Sequence, residues 1–175
     1  KKQLDVGIDF VSDGEMSKIS YATYIKDRID GFSGESERRA PADLDDFPEY
    51  KEKIAKSGGT PTYTRPCCTN ELKVKDEKSL LQDINNFKNS LDKLNHRHAF
   101  MNSASPGVIN VFMPNKFYST EDEYLDKLSN IMAKEYEEIV SSGLHLQLDC
   151  PDLALARHMT FKDLTEEEFL KRAEK

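Results

Sequence analysis

Tryptophan is absent from this 175-residue chain, and cysteine is scarce. The three cysteines, Cys67, Cys68 and Cys150, are odd in number and two are adjacent, which excludes the disulfide framework of a small secreted domain. Reduced thiols in a cytoplasmic protein fit this usage best. The C-x₂₋₄-C spacing of structural zinc sites is also missing, so buried and unreactive thiols are the favoured interpretation of the adjacent pair.

Long apolar runs and an excess of positive charge are lacking as well. No run of about 18 apolar residues occurs, which argues against a membrane-spanning helix, and residues 1–9 lack the apolar segment of a signal peptide. The net charge is −7 with a pI near 5.2, whereas nucleic-acid binding requires a basic surface. We expect neither a membrane nor a nucleic acid as a partner.

The ends of the sequence resemble interrupted elements. Residues 1–6 are typical of the last turn of a helix that Gly7 closes, and residues 166–175 stop within a helical pattern. We therefore expect this sequence to be a fragment of a longer chain. Its length and its 37% hydrophobic content nevertheless suit one domain with a core.

Strands and helices are predicted to alternate along the chain. Apolar runs predict strands at 7–11, 63–68, 98–103 and 144–149, with a further strand at 71–75 that pairs with the second. Apolar residues at helical spacing predict helices over 76–94 and 120–143, and a capping box of Thr165 and Glu168 predicts a last helix from 165 onward. A polar excursion at about 33–60 contains a short helix over 44–56, and 21–32 is a short helix or irregular. The order predicts parallel βαβ units and an α/β fold.

Polar residues occur at the ends of all four main strands. They are Ser12, Asp13 and Glu15; Arg65, Cys67 and Cys68; Asn102, Ser103 and Ser105; and Asp149 and Cys150. Parallel strands end at one shared edge, where α/β proteins bind ligands. We expect these residues to share that edge, where Asp13 or Glu15 could hold an ammonium group. The alternative is that Asp13 and Gly14 only form a turn.

Residues 144–149 alternate strictly between leucine and polar side chains. A strand between two helix layers would be apolar on both faces. The pattern therefore indicates either a barrel strand, whose polar side chains point inward near the site, or an edge strand with one face in water.

Four stretches, taken together, resemble the catalytic barrel domain of cobalamin-independent methionine synthase. The likeness is closer to the short, single-barrel relatives often labelled methionine synthase II. The stretches are GIDFVSDGEMSK, YIKDRIDGF, AFMNSASPGVI and LQLDCPDLA, of which the last matches the family pattern Ile-Gln-x-Asp-Glu-Pro-Ala. The resemblance implies a (β/α)8 TIM barrel of the methionine synthase/uroporphyrinogen decarboxylase type. Because such a barrel takes about 250 residues, residues 1–175 would form a partial domain with about half of the strands.

The resemblance also implies a chemistry. The family transfers a methyl group from a methyltetrahydrofolate to the thiol of homocysteine, which gives methionine. A zinc ion binds the thiol as a thiolate, the competent nucleophile. By position, Glu15 is the acid of the family's Gly-Glu motif, which helps to hold the homocysteine amino group. Asp149 has a similar role, and Ser105 falls near a stretch that lines the substrate.

The metal site is where this sequence departs from the family. Zinc ligands in the family are a His-x-Cys pair, a Glu and a further Cys, all following the Gln-x-Asp strand. After Asp149 only Cys150 and His158 could serve, and position 150 is Cys where methionine synthases have Glu. We expect the ligands beyond Lys175, and we expect the fragment alone to be inactive.

Two alternatives remain open. The first is other chemistry of the superfamily, either alkyl transfer to another thiol such as coenzyme M or a decarboxylation of the uroporphyrinogen type. Acids at positions 15 and 149 favour an amino-acid thiol, because a sulfonate requires Arg or Lys. The second is a truncated, non-catalytic half-barrel that needs a partner chain. Open sheet edges promote pairing, so we expect a homo-oligomer or an aggregating chain.

Overall fold

The computed structural model describes residues 1–36, 42–56 and 65–174. Five strands are described: β1 (Val11–Ser12), β2 (Ile29–Ser33), β3 (Cys67–Val74), β4 (Ala99–Ala104) and β5 (His145–Asp149). The α-helices are α1 (Lys2–Asp5), α2 (Ile25–Arg28), α3 (Pro48–Lys56), α4 (Lys78–Lys93), α5 (Pro106–Phe112), α6 (Glu121–Ser141), α7 (Asp152–Met159) and α8 (Glu166–Ala173). A 3₁₀ helix, Ala42–Asp46, precedes α3.

A parallel sheet with the order β1-β4-β5 positions the strand ends that the sequence singled out. Val11 pairs with Ala99 at one side of β4, and Ala104 pairs with Asp149 at the other. The prediction of a mixed α/β fold with parallel strands is confirmed. Three parallel strands do not make a closed barrel, so the (β/α)8 barrel and its extent over residues 1–175 stay predictions.

The predicted second strand is wrong in its placement. Cys67–Val74 is one continuous strand, so residues 71–75 do not fold back onto 63–68, and residues 63 and 64 lie outside the described part. β3 pairs antiparallel with β2 as a separate ribbon. The physical reason is its exposed polar half: Asn70, Glu71 and Lys73 face solvent, which a parallel strand between helix layers does not tolerate.

Helices α4 and α6 confirm the predicted apolar periodicities, and α8 confirms the predicted last helix. The buried face of α4 and α6 comprises Leu80, Ile84, Phe87 and Leu91, then Tyr124, Leu128, Met132, Glu135 and Ile139. Thr120 caps α6, because its hydroxyl accepts a hydrogen bond from the backbone of Glu123. Thr165 and Glu168 form the expected capping box of α8.

The sequence Ser105-Pro106-Gly107 has the composition of a turn, and we expected one from it, but the structure forms none there. Ser105 instead caps the start of α5, and Pro106 occupies the first helical turn, where its missing N–H costs nothing. Turn formers and helix starters share the same residue types, so the composition alone did not separate them. Helix α7, after β5, was not anticipated either.

Two core clusters hold these elements together. One joins α2, the β2–β3 ribbon, α5 and α6, and includes Leu72, Ile109 and Leu128. The other joins the parallel sheet to α4 and includes Val11 and Met101. The parallel sheet is thereby fixed on one side by helices, which leaves the ends of its strands free to form a site.

Cys67 and Cys68 are both buried, which confirms the predicted burial of the adjacent pair. Burial raises the pKa of the Cys68 thiol to about 11, so the thiol is protonated at neutral pH. Among the described helices, none has the length and apolarity that a membrane crossing requires.

The outer edges of β1 and β5 have no strand partner within the described residues. Apolar side chains beside these edges are partly in water: Ile8, Phe10 and Leu148 are 44%, 47% and 43% exposed. Unpaired edges with apolar neighbours favour association. The expectation of a homo-oligomer is tested by light scattering, and a well-behaved monomer at high protein concentration would contradict it.

Candidate substrate cleft at the carboxyl edge of the parallel sheet

An open cleft lies where β1, β4 and β5 end. Its polar lining comes from Glu15 after β1, Asn102 on β4 and Asp149 at the end of β5. The remaining lining residues are Tyr21, Leu148, Cys150 and Pro151. The two acids are 134 positions apart in sequence, by their numbers 15 and 149. They meet because parallel strands expose their carboxyl ends at one edge.

Asp149 is held by two amide side chains. The side chain of Asn102, on the neighbouring strand, donates to its carboxylate at 3.3 Å, and that of Gln147 donates at 3.3 Å. Asn102 and Gln147 are partners in the β4–β5 register. These neutral donors orient the carboxylate without neutralising it, so its charge remains available to a cationic group in the cleft.

Glu15 is presented by a tight turn. Gly14 and Glu15 both have positive φ, +70° and +55°, and the Asp13 carboxylate accepts a hydrogen bond from the backbone N–H of Glu15 at 3.0 Å. Aspartate commonly stabilises turns in this way. The two interpretations of Asp13-Gly14-Glu15 therefore apply to different residues: Asp13 supports the turn, and Glu15 lines the cleft.

The other candidates lie outside this cleft. Asp13 borders a separate groove beside α1 and α4. Ser105 is buried, accepts from the backbone N–H of Val108 at 3.0 Å and donates to Asp152 at 2.8 Å. Its hydroxyl thus joins α5 to α7.

Three residues expected at this edge do not reach it: Arg65, Cys67 and Cys68, which were predicted to end the second strand. These residues lie on or beside the antiparallel ribbon instead. His158 is exposed on α7. Of the residues expected at the edge, the cleft therefore collects Glu15, Asn102, Asp149 and Cys150.

A buried polar network next to the cleft was not predicted from the sequence. Glu135 of α6 accepts hydrogen bonds from Tyr24 at 2.6 Å, Ser103 at 2.7 Å and Arg28 at 2.7 Å. Arg28 also pairs with Asp83 of α4 at 2.6 Å. One signal for it was available in the sequence: position 135 falls on the apolar stripe of α6 but carries a glutamate. Because an unpaired buried charge is too costly to occur, this glutamate implies a buried partner.

Lys18 lies between the network and the cleft. Its ammonium donates to the main-chain oxygen of Asn102 and lies 4.8 Å from the centre of the Tyr24 ring. Burial lowers the pKa of Lys18, while the negative charges of Glu135, Asp13 and Glu15 oppose that effect. Nothing in the sequence around Lys18 distinguished it from an ordinary surface lysine.

Zinc does not fit the described residues. Within the described ranges, no group of three or more His, Cys, Asp or Glu side chains could hold a metal ion. Cys150 lines the cleft, whereas Cys67 and Cys68 are buried beside the ribbon. A zinc site generally requires at least three protein ligands, so the cleft as described supplies no metal chemistry of its own.

Comparison with known proteins finds a similar fold among solved structures. No protein-family model matches the chain, and no curated protein matches it. Among solved structures, the chain is similar to a B12-independent methionine synthase from Shewanella sp. W3-18-1 in complex with selenomethionine. The TM-score is 0.63 at 16% sequence identity, and the match covers 86% of this chain but 39% of that one.

The comparison defines a class by fold alone. The chain is an α/β protein whose fold is similar to part of a methionine synthase. It spans about two fifths of the length of that solved protein. At this level of identity, activity and substrates do not follow from the likeness.

Proposed function

We propose that this chain is part of a methyltransferase related to the cobalamin-independent methionine synthases. It would transfer a methyl group from a methyltetrahydrofolate-type donor to the thiol of homocysteine. The observation that carries the proposal is the pairing of Glu15 and Asp149 in one cleft at the carboxyl edge of the sheet. The fold likeness to a synthase solved with selenomethionine, itself an amino acid, supports it.

The two carboxylates would bind the α-ammonium group of the substrate. Each forms a charge-assisted hydrogen bond that is stronger than a neutral one. Asn102 and Gln147 hold the Asp149 carboxylate in place, so its orientation is fixed before the substrate arrives. Fixing the ammonium end would leave the thiol of homocysteine free to extend toward the methyl donor.

A zinc ion would supply a thiolate at neutral pH in the full enzyme. The described residues do not fit that ion, so we propose that its ligands lie beyond Lys175. The roles assigned to Glu15 and Asp149 are independent of the metal. They concern only substrate binding and can be tested on this chain.

Glu15→Gln and Asp149→Asn are each expected to weaken homocysteine binding about 10- to 100-fold, because each removes one charged hydrogen bond. Isothermal titration calorimetry measures the dissociation constants. Glu49→Gln, an exposed change on α3, is the matched control and should leave binding unchanged. Equal affinity of the Glu15 and Asp149 variants and the wild type would contradict the proposal, as would a wild type that does not bind homocysteine.

The alternatives are compared in the same assay. Coenzyme M carries a sulfonate and no ammonium, so tighter binding of coenzyme M than of homocysteine would favour the other thiol chemistry.

The half-barrel hypothesis is favoured by the exposed edges of β1 and β5. It predicts that the chain lacks methyl-transfer activity until a partner completes the sheet. We also propose a cytoplasmic location, from the cysteine usage.

A further inference from the structure

Lys18 lies beside the cleft, outside its lining, and has no role in the proposed function. It follows Glu15 by three positions, and its ammonium reaches the main-chain oxygen of Asn102. The side chain of the same Asn102 holds Asp149. Lys18 is thus linked through a single residue to one of the acids proposed to bind substrate.

The environment of Lys18 is unusual for a lysine. Its long side chain is half-buried against the Tyr24 ring rather than extended into water. Three acids, Glu135, Asp13 and Glu15, act on it electrostatically. Within the described part of the chain it forms no ion pair at salt-bridge distance, and one of its three N–H donors has a partner.

The neighbouring cation is not available for a ligand. Arg28 is bound by Glu135 at 2.7 Å in a buried contact and by Asp83 at 2.6 Å in a partly buried one. The guanidinium is therefore committed to the protein interior. Lys18, by contrast, still has N–H donors for which the described residues supply no acceptor.

An amino acid presents two charges to its binding site. The ammonium requires acids, which Glu15 and Asp149 supply, and the carboxylate requires a cation. We propose that Lys18 binds the carboxylate of the amino-acid thiol whose ammonium these acids hold. This inference rests on the proposed function and assigns a specificity residue to it.

The test compares two ligands that differ only in the carboxylate: homocysteine and 3-aminopropane-1-thiol. Lys18→Met is expected to weaken homocysteine binding about 10- to 100-fold and to change binding of the amine thiol less than twofold. Glu15→Gln should weaken both. Lys93→Met, at an exposed position of α4, is the control and should weaken neither.

Several outcomes would overturn the inference. If Lys18→Met binds homocysteine as the wild type does, the inference fails while the proposed function stands. If the wild type binds neither ligand, the proposed function fails as well. Circular dichroism shows whether Lys18→Met folds. If it does not, the wild type alone decides: equal dissociation constants for homocysteine and 3-aminopropane-1-thiol would contradict a contact with the carboxylate. Lys18→Arg should retain most of the preference for homocysteine.

Discussion

Replacing Arg28 with methionine is expected to lower the free energy of unfolding by about 3–5 kcal/mol. Arg28 is 8% exposed and pairs with Glu135 and Asp83 at 2.7 and 2.6 Å. Without it, the Glu135 carboxylate stays buried, and among the described residues its remaining hydrogen-bond donors are the hydroxyls of Tyr24 and Ser103. A buried charge that loses its counter-ion destabilises the fold far more than a lost surface pair does. Urea denaturation followed by circular dichroism measures the change.

Two variants control this experiment. Arg97→Met breaks an exposed pair with Asp92 and should cost less than about 1 kcal/mol. The double variant R28M/E135L removes both buried charges and should recover much of the loss, because apolar replacements of a buried ion pair are often nearly neutral. If Arg28→Met lowered the free energy of unfolding by less than about 1 kcal/mol, the ion pair with Arg28 would not be what stabilises the buried Glu135 carboxylate.

Gly31→Ala is expected to cost about 2–4 kcal/mol, since it combines backbone strain with overlap. Gly31 has φ of +111° at an irregularity in the β2–β3 pairing. A Cβ there would lie 2.8 Å from Leu72 Cδ2 and 2.9 Å from the carbonyl oxygen of Asn70. Leu72 belongs to the core, and backbone oxygens cannot rotate away. Thermal and urea denaturation both report the loss.

Gly34→Ala separates strain from overlap. Gly34 also has positive φ, +70°, but no described atom lies within 4 Å of the place where a Cβ would stand. Its substitution should cost about 1–2 kcal/mol, the strain alone. Equal costs at the two glycines would mean that the ribbon relaxes around Gly31 and that the contact with β3 is not tight.

The elements that could be predicted from the sequence are those in which a local pattern matches the tertiary environment. Helix α6 carries its capping residue and its apolar stripe in one continuous stretch, so nothing distant is needed to define it. Strand β4 is a short apolar run between polar segments, and it was located within one residue. Periodicity works here because burial follows it.

The failures have a common physical cause: they depend on partners far away in the sequence. Strand β3 has the composition of many strands, and only its pairing with β2 makes it part of an antiparallel ribbon. Ser105 has the composition of a turn and becomes a helix cap. Likewise, the roles of Lys18 and Glu135 depend on residues from several elements, which no local pattern encodes.

The candidate site was partly predictable for the same reason. Glu15 follows β1 and Asp149 is the last residue of β5, and the ends of these strands must share an edge once the sheet is parallel. Topology alone therefore brings them together. The different roles of Asp13 and Glu15 could not be predicted from the sequence. The two residues are two positions apart in a tight turn, and the geometry of that turn decides which carboxylate accepts a backbone hydrogen bond and which lines the cleft.

The network around Glu135 also bears on the order of events during folding. Glu135 is separated along the chain by 107 residues from Arg28 and by 111 from Tyr24. Closing segments of that length costs chain entropy before any contact offsets it, so we expect the network to assemble late in folding, after the transition state. Interactions that form after the transition state affect unfolding rather than refolding rates. We therefore expect substitution of Glu135 to raise the unfolding rate and to leave the refolding rate nearly unchanged.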